Sequence, residues 1–293
     1  MQALIVGCGY VGTALGAELS RQGHSVWGVQ RSGATAADLN QAGIIPVIAD
    51  ITKAETLTKL PRQIDWLVNC VSVGKGGAEQ YRRVYVEGMR NLLNWLEPGW
   101  KGRLVYTSST GVYGQNDGSI VTENSATEPD SDTGRELLAA EELLLSGVKG
   151  RRFSAAVLRL AGIYGPERGY WLRQFLAGQA SLEGAGQRVL NMVHRHDVVG
   201  AILAVLMADK PGTIYNVVDN EPVTQFEMFE WLATRLRRHL PLETSAPTLA
   251  MRKRVATNKR VSNERLRREL NYAFRYPTFR EGCEVELNRL QKS

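Results

Sequence analysis

Short apolar runs alternate with amphipathic stretches over the first two-thirds of the chain. Residues 2–6, 25–29, 45–48, 66–71, 104–107 and 155–160 read as strands. Between them, residues 11–22, 80–96 and 133–146 carry helical spacing of apolar positions. Strand–helix alternation of this kind predicts a right-handed, doubly wound parallel sheet with helices on both faces, an α/β fold of Rossmann type. In the stretch SDTGRELLAAEELLL (131–145), Leu137, Ala140 and Leu144 share one face. Ser131, Asp132 and Thr133 offer capping oxygens, and Thr133 with Glu136 has capping-box spacing. A long polar loop fills 116–132. After Pro166 the rhythm changes to a helix near 171–177, a helix over 197–208 and a strand at 214–218, followed by mixed helix and loop. The pattern divides into a larger domain over 1–167, to which 197–218 returns, and a smaller C-terminal lobe from 168–196 and 219–293.

The first strand runs into Gly7, Gly9 and Gly12, spaced G-x-G-x-x-G, and a helix follows. Gly7 allows a tight turn, Gly9 lets a pyrophosphate approach the backbone, and Gly12 lets helix pack on strand. Tyr10, Val11 and Gly12 open the helix whose N-terminus faces the phosphates. Cys8 fills a small-residue slot in this loop. The second strand ends in Gln30-Arg31-Ser32 with no carboxylate to repel a 2′-phosphate, while Arg31 can neutralise one and Ser32 can donate to it. The expected cofactor is therefore NADP, with NAD as second choice. Asp50 and Ile51, after the third strand, fall where an adenine would lie; Asp50 reads either as an acceptor for its amino group or as a local cap.

Composition narrows the picture. Hydrophobic residues make up 43% and charged residues 23%, the balance of a globular chain able to bury a core. No apolar run reaches membrane-spanning length. The three cysteines form no CxxC pair, which points to a reduced, cytoplasmic setting. Net charge is +6, but residues 235–268 hold eleven Lys/Arg against two Glu, leaving the remainder of the chain near −3. That segment reads as a solvated basic face or a patch for an anionic ligand. Nucleic acid is not expected, since neither zinc-finger spacing nor an aromatic stacking series accompanies it.

With LVYTSSTGVYG (104–114) the chain resembles the extended short-chain dehydrogenase/reductases of the NAD(P)-dependent epimerase/dehydratase type. VLRLAGIYGPERG (157–169), NMVHRHDVVGAILAVL (191–206), GTIYNVVDNEPVT (212–224) and KRVSNERLRRELNY (259–272) extend the resemblance in order along the chain. It implies a catalytic Ser at Ser109 and a Tyr-x-x-x-Lys pair on the helix after it. Here the tyrosine position holds Thr133 and the lysine position Leu137, and the Asn position of the earlier helix holds Tyr85. A phenol with pKa near 10 needs about 4 kcal/mol of help to reach neutrality, and Leu137 supplies none. No Tyr-x-x-x-Lys occurs elsewhere; Tyr164 to Arg168 encloses Gly-Pro and cannot be one helical face. The resemblance places Tyr85 and Tyr164 near the nicotinamide end as candidate substitutes for the missing acid, although Tyr85 reads first as a packed aromatic filling the space left by the Asn.

Tyr113, in the GVYG turn, reads as a substrate-side or structural residue. Arg168, Trp171 and Arg173 suit an anionic or sugar-like small-molecule substrate, and His194 is expected to face the substrate lobe. His194, His196 and Asp197 have poor spacing for zinc, so no metal is expected; Asp197 reads as the cap of the next helix. The apolar positions on helices 80–96 and 133–146 resemble the family's dimer face, implying a homodimer. Two functions stay open. One is an NADP-dependent oxidoreductase or epimerase acting on a sugar-nucleotide or similar polar alcohol or carbonyl, with a non-standard acid/base arrangement. The other is a non-catalytic NADP-binding sensor or partner-binding protein.

Overall fold

In the computed structural model, which describes residues 1–74, 76–244 and 257–291, seven strands form one parallel sheet. They are β1 (Gln2–Val6), β2 (Ser25–Gln30), β3 (Ile45–Ile48), β4 (Trp66–Asn69), β5 (Arg103–Ser109), β6 (Ser154–Leu160) and β7 (Ile214–Val217). Their order across the sheet is β7-β6-β5-β4-β1-β2-β3. Central strands are apolar on both faces because helices cover both: Ala3, Leu4 and Ile5 of β1 have no exposed surface. At the β3 edge, Ile45 and Ile48 are each 49% exposed, and Pro46 between them blocks further pairing.

The helices agree with the apolar periodicity to within two residues, with two physical departures. The helix expected over 80–96 runs as α-helical Ala78–Tyr81, π-helical Arg82–Glu87 and α-helical Gly88–Trp95. The π turn inserts one extra residue per turn and re-aims the side chains that follow it. The helix Asp132–Val148 is capped by Ser131, whose hydroxyl accepts from the Gly134 amide at 3.0 Å; the capping box expected from Thr133 and Glu136 does not form. Glu136 instead pairs with Arg82 at 3.6 Å.

The chain divides into two compact units. The first comprises Met1–Val112, Ser131–Arg159 and Ala201–Tyr215; the second comprises Tyr113–Asp130, Leu160–Gly200 and Asn216–Ser293. In the first, Arg103 donates to the carbonyls of Val205, Leu206 and Ala208 and so satisfies the C-terminal end of the helix that precedes β7. In the second, the polar loop after β5 contributes a short strand, Ile120–Val121, paired in parallel with Arg260–Val261. The helices Gln225–Leu236 and Phe279–Leu290 of this unit each carry a full capping box, Thr224 with Glu227 and Thr278 with Glu281. Phe175, Phe229, Phe279 and Leu232 centre its core. Within the basic run 235–268, residues 245–256 lie outside the described residues. No described helix is long and apolar enough to cross a membrane.

Candidate functional site

The glycine loop between β1 and α1 (Tyr10–Arg21) has the shape its spacing implies. Gly7 has φ +94°, and a Cβ there would lie 2.7 Å from the Val71 amide nitrogen, so only glycine fits. A Cβ on Gly12 would lie 2.4 Å from the Gly7 carbonyl, which is how helix and strand come close enough to pack. Gly9 is different: a Cβ there would meet nothing within 4 Å. Its absence is unnecessary for packing and leaves free space at the N-terminus of α1, where no side chain caps the helix. Tyr10 and Val11 begin the helix half-buried beside that space. Free space, an uncapped helix start and a strand–loop–helix frame together suit an anionic diphosphate. Cys8 points inward; burial pushes its thiol up to about 12, so it stays protonated.

At the end of β2, the Gln30 amide donates to the Cys8 carbonyl at 3.1 Å and its oxygen accepts from the Thr35 hydroxyl at 2.6 Å. Arg31 and Ser32 follow, both exposed. Asp50 lies within electrostatic reach of Arg31. Partial burial would raise the Asp50 carboxyl, but the Thr52 amide and hydroxyl, at 2.9 and 2.8 Å, with Arg31 and Lys53 nearby, hold it below its usual value. That local cap engages one Asp50 oxygen. Ile51 faces inward, 5% exposed, and its carbonyl accepts from Asn91 at 2.9 Å.

Further along the same unit the dyad positions are committed to structure. The Thr133 hydroxyl lies 3.3 Å from that of Ser131 in the helix cap, and Leu137 is buried. Tyr85, carried by the π turn, is 7% exposed, and its hydroxyl oxygen accepts from the Val73 amide at 3.2 Å. Burial raises its pKa, partly offset by that amide and reinforced by Tyr81, so its phenol stays protonated. Ser109 sits half-buried at the end of β5, accepting from the Gly111 amide at 3.0 Å. The adjacent Ser108 points the other way, into a buried group that sequence reading missed. Its hydroxyl donates to Glu141 at 2.5 Å, and Arg159 donates to the same carboxylate at 2.7 Å. The signal was present in the sequence: Glu141 interrupts the apolar helix face and Arg159 interrupts the apolar strand AAVLRL.

In the second unit one of the two readings of Tyr113 drops out, and the expectations for Tyr164, His194 and Asp197 are corrected. Tyr113 has no exposed surface, and its hydroxyl donates to Asn216 at 2.9 Å, so it is a structural residue with no face for substrate. Tyr164 is 6% exposed, fills the space left by Gly282, and raises its pKa well above the phenol norm through burial. It is a core residue, not an available acid. His194, likewise fully buried, packs its ring 4.1 Å from Tyr276 and 5.2 Å from Tyr164 and meets Glu286 at 3.3 Å. Asp197 does not cap its helix, which begins at Arg195. Its carboxylate accepts from the Arg275 and Tyr276 amides at 2.6 and 3.0 Å and anchors that segment. Arg168 is exposed in a tight turn closed by two backbone bonds to Gly165, and Arg173 donates to the Glu167 carbonyl at 3.2 Å. Trp171 is half-buried, 4.8 Å from the Tyr170 ring and 6.0 Å from Phe229.

Known proteins resemble this chain in sequence and fold. The model of the NAD dependent epimerase/dehydratase family matches residues 3–217. Protein YeeZ of Escherichia coli (strain K12) is 28% identical over 280 residues, spanning 93% of this chain and 95% of that protein. A solved structure from Methylobacillus flagellatus, provisionally described as an NAD-dependent epimerase/dehydratase, is 32% identical with a TM-score of 0.81, covering 99% of this chain and 98% of its own. The dTDP-glucose 4,6-dehydratase of Bacillus anthracis str. Ames, solved in complex with NAD, has a TM-score of 0.82 at 20% identity, covering 100% of this chain and 97% of its own. At that identity the likeness is one of fold.

Proposed function

The chain belongs to the NAD dependent epimerase/dehydratase family, and on that premise we propose that it is an NADP-preferring oxidoreductase or epimerase-like enzyme. Its substrate is a sugar-nucleotide or similar polar alcohol or carbonyl. The observation that carries this reading is the open space at Gly9 beside the uncapped start of α1, joined to a β2 end with no carboxylate. The backbone of Gly9, Tyr10, Val11 and Gly12 binds the diphosphate. Arg31 and Ser32 take the 2′-phosphate, and Asp50 accepts from the adenine amino group with the oxygen its local cap leaves over. When bound, the nicotinamide supplies or accepts a hydride.

The protein's own contribution to the chemistry is small and specific. Ser109 offers a hydroxyl at the end of β5 to orient and polarise the substrate oxygen. Tyr85 keeps its proton because burial disfavours the phenolate, so it is a weaker acid than a free phenol. It can serve as a hydrogen-bond donor to the substrate oxygen rather than as a ready proton source. Loss of the Tyr-Lys relay slows proton transfer by roughly 10²–10⁴-fold without abolishing hydride positioning. A second reading, a non-catalytic NADP-dependent sensor, is favoured by Thr133 and Leu137 being spent on cap and core. Calorimetric titration with NADPH and NADH, followed by single-turnover reduction of a carbonyl panel by bound NADPH, tests both. Tight NADPH binding with turnover supports the enzyme. Tight binding with no oxidation of NADPH supports the sensor, and failure to bind either dinucleotide removes both readings.

A further inference from the structure

Gln30 occupies the end of β2, yet its side chain turns away from solvent. Its amide nitrogen donates to the Cys8 carbonyl at 3.1 Å, inside the glycine loop. The Thr13 hydroxyl donates to that same carbonyl at 3.1 Å, so both donors hold it from the α1 side and the β2 side. The Gln30 side-chain oxygen accepts from the Thr35 hydroxyl at 2.6 Å, five residues downstream. Its backbone oxygen accepts from the Ala49 amide at 3.0 Å, beside Asp50. One residue thus ties together the glycine loop, the end of β3 and the far end of the loop that carries Arg31 and Ser32.

That loop has little else to hold it. Residues 31 to 35 are all exposed, and the 3₁₀ turn Gly33–Thr35 buries no side chain. An arginine on such a loop loses more side-chain and backbone freedom on binding an anion than one on a fixed loop does. A clasp at both ends of the loop removes part of that loss in advance.

From this geometry we infer that Gln30 and Thr35 are specificity-determining positioning residues: their clasp to Cys8 pre-sets Arg31 and Ser32 for a 2′-phosphate that neither residue touches. The inference rests on the NADP reading above. The role it assigns to Gln30 needs no direct contact with the adenosine ribose: the amide acts through one bond at each end within the protein.

The test is calorimetric titration with NADPH and with NADH of wild type, Thr35→Val, Thr35→Ser, Gln30→Met, Gln30→Met/Thr35→Val, Arg31→Ala and Arg31→Ala/Thr35→Val. Thr35→Val is expected to weaken NADPH about five- to tenfold, the scale of one hydrogen bond, while NADH changes less than about twofold. Thr35→Ser restores wild-type affinity. Gln30→Met weakens NADPH at least as much, and adding Thr35→Val to it costs nothing more, because the two act as one unit. In the Arg31→Ala background Thr35→Val weakens NADPH less than about twofold, because only Ser32 is left for the clasp to position. Equal weakening of NADPH and NADH, no change in either, or additive losses in the double variant would overturn the clasp while leaving NADP binding standing. Wild type that favours NADH, or binds neither dinucleotide, would overturn the NADP reading and the clasp together.

Discussion

The Ser108 hydroxyl donates to Glu141 at 2.5 Å, and this contact joins the end of β5 to the helix that lacks the dyad. Arg159 completes the group with both side chains of the ion pair at or below 4% exposure. A charge this deep is tolerated only because its partner is equally deep. Glu141→Gln leaves the Arg159 guanidinium uncompensated and is expected to cost about 3–5 kcal/mol in urea unfolding. Glu141→Leu/Arg159→Met is expected to recover most of that loss. A double variant no better than the single one would show that the pair does not act together.

Gly9 and Gly12 separate binding from architecture. Gly12→Ala places a methyl 2.4 Å from the Gly7 carbonyl and should lower the melting temperature. Gly9→Ala meets nothing within 4 Å, so it should fold with wild-type stability and yet lose dinucleotide binding by at least about tenfold. Unchanged NADPH affinity in Gly9→Ala would mean that the space is not the diphosphate site.

Tyr85 and Tyr164 are expected to respond in opposite ways to loss of the hydroxyl. Tyr85→Phe removes an acceptor from the Val73 amide and should destabilise by about 1 kcal/mol. The Tyr164 hydroxyl is buried with no hydrogen-bond partner among the described residues, so Tyr164→Phe should be neutral or stabilising. Chemical denaturation of the two variants side by side decides this. A large loss for Tyr164→Phe would reveal a bonded water or partner at that oxygen.

His194 gives stability a pH dependence. Burial, with His196, Arg195 and Arg275 adding to it, pushes its pKa down to about 3 from an ordinary 6.5. Between those values the unfolded chain binds a proton that the folded chain refuses, so stability present above about 6.5 is lost as pH falls toward 3. Glu286, whose carboxyl is raised chiefly by burial, works in the opposite sense, so the comparison must be between variants. Unfolding measured from pH 7.5 to 4.5 should fall less steeply for His194→Gln than for wild type. Parallel slopes would show that the imidazole is protonated in the folded protein.

The sheet was legible because parallel strands covered on both faces must be apolar throughout, and runs such as ALIV and WLVN cannot be solvated helices of that length. The glycine spacing was legible for a similar reason: backbone approach is encoded in the residue itself. Helix ends were less so. Ser131, Asp132 and Thr133 all carry capping oxygens, and only the path of the chain selected Ser131. The π turn was not legible, since its i→i+5 bonding is a choice of backbone hydrogen-bond partner that residue types on the apolar face do not specify.

The sequence by itself determined the doubly wound frame, the diphosphate-shaped loop and the absence of Tyr and Lys from the expected helix, because each follows from local residue type and short-range spacing. The tertiary structure decided which polar side chains are free to act. Tyr113, Tyr164 and His194 are as plausible in sequence as Ser109, yet Asn216, Gly282 and Glu286, each some 90 or more residues away along the chain, enclose them in the core. Gln30 likewise became a clasp through Cys8 and Thr35. Burial and hydrogen-bond partnership depend on contacts between distant segments, and no local pattern carries them.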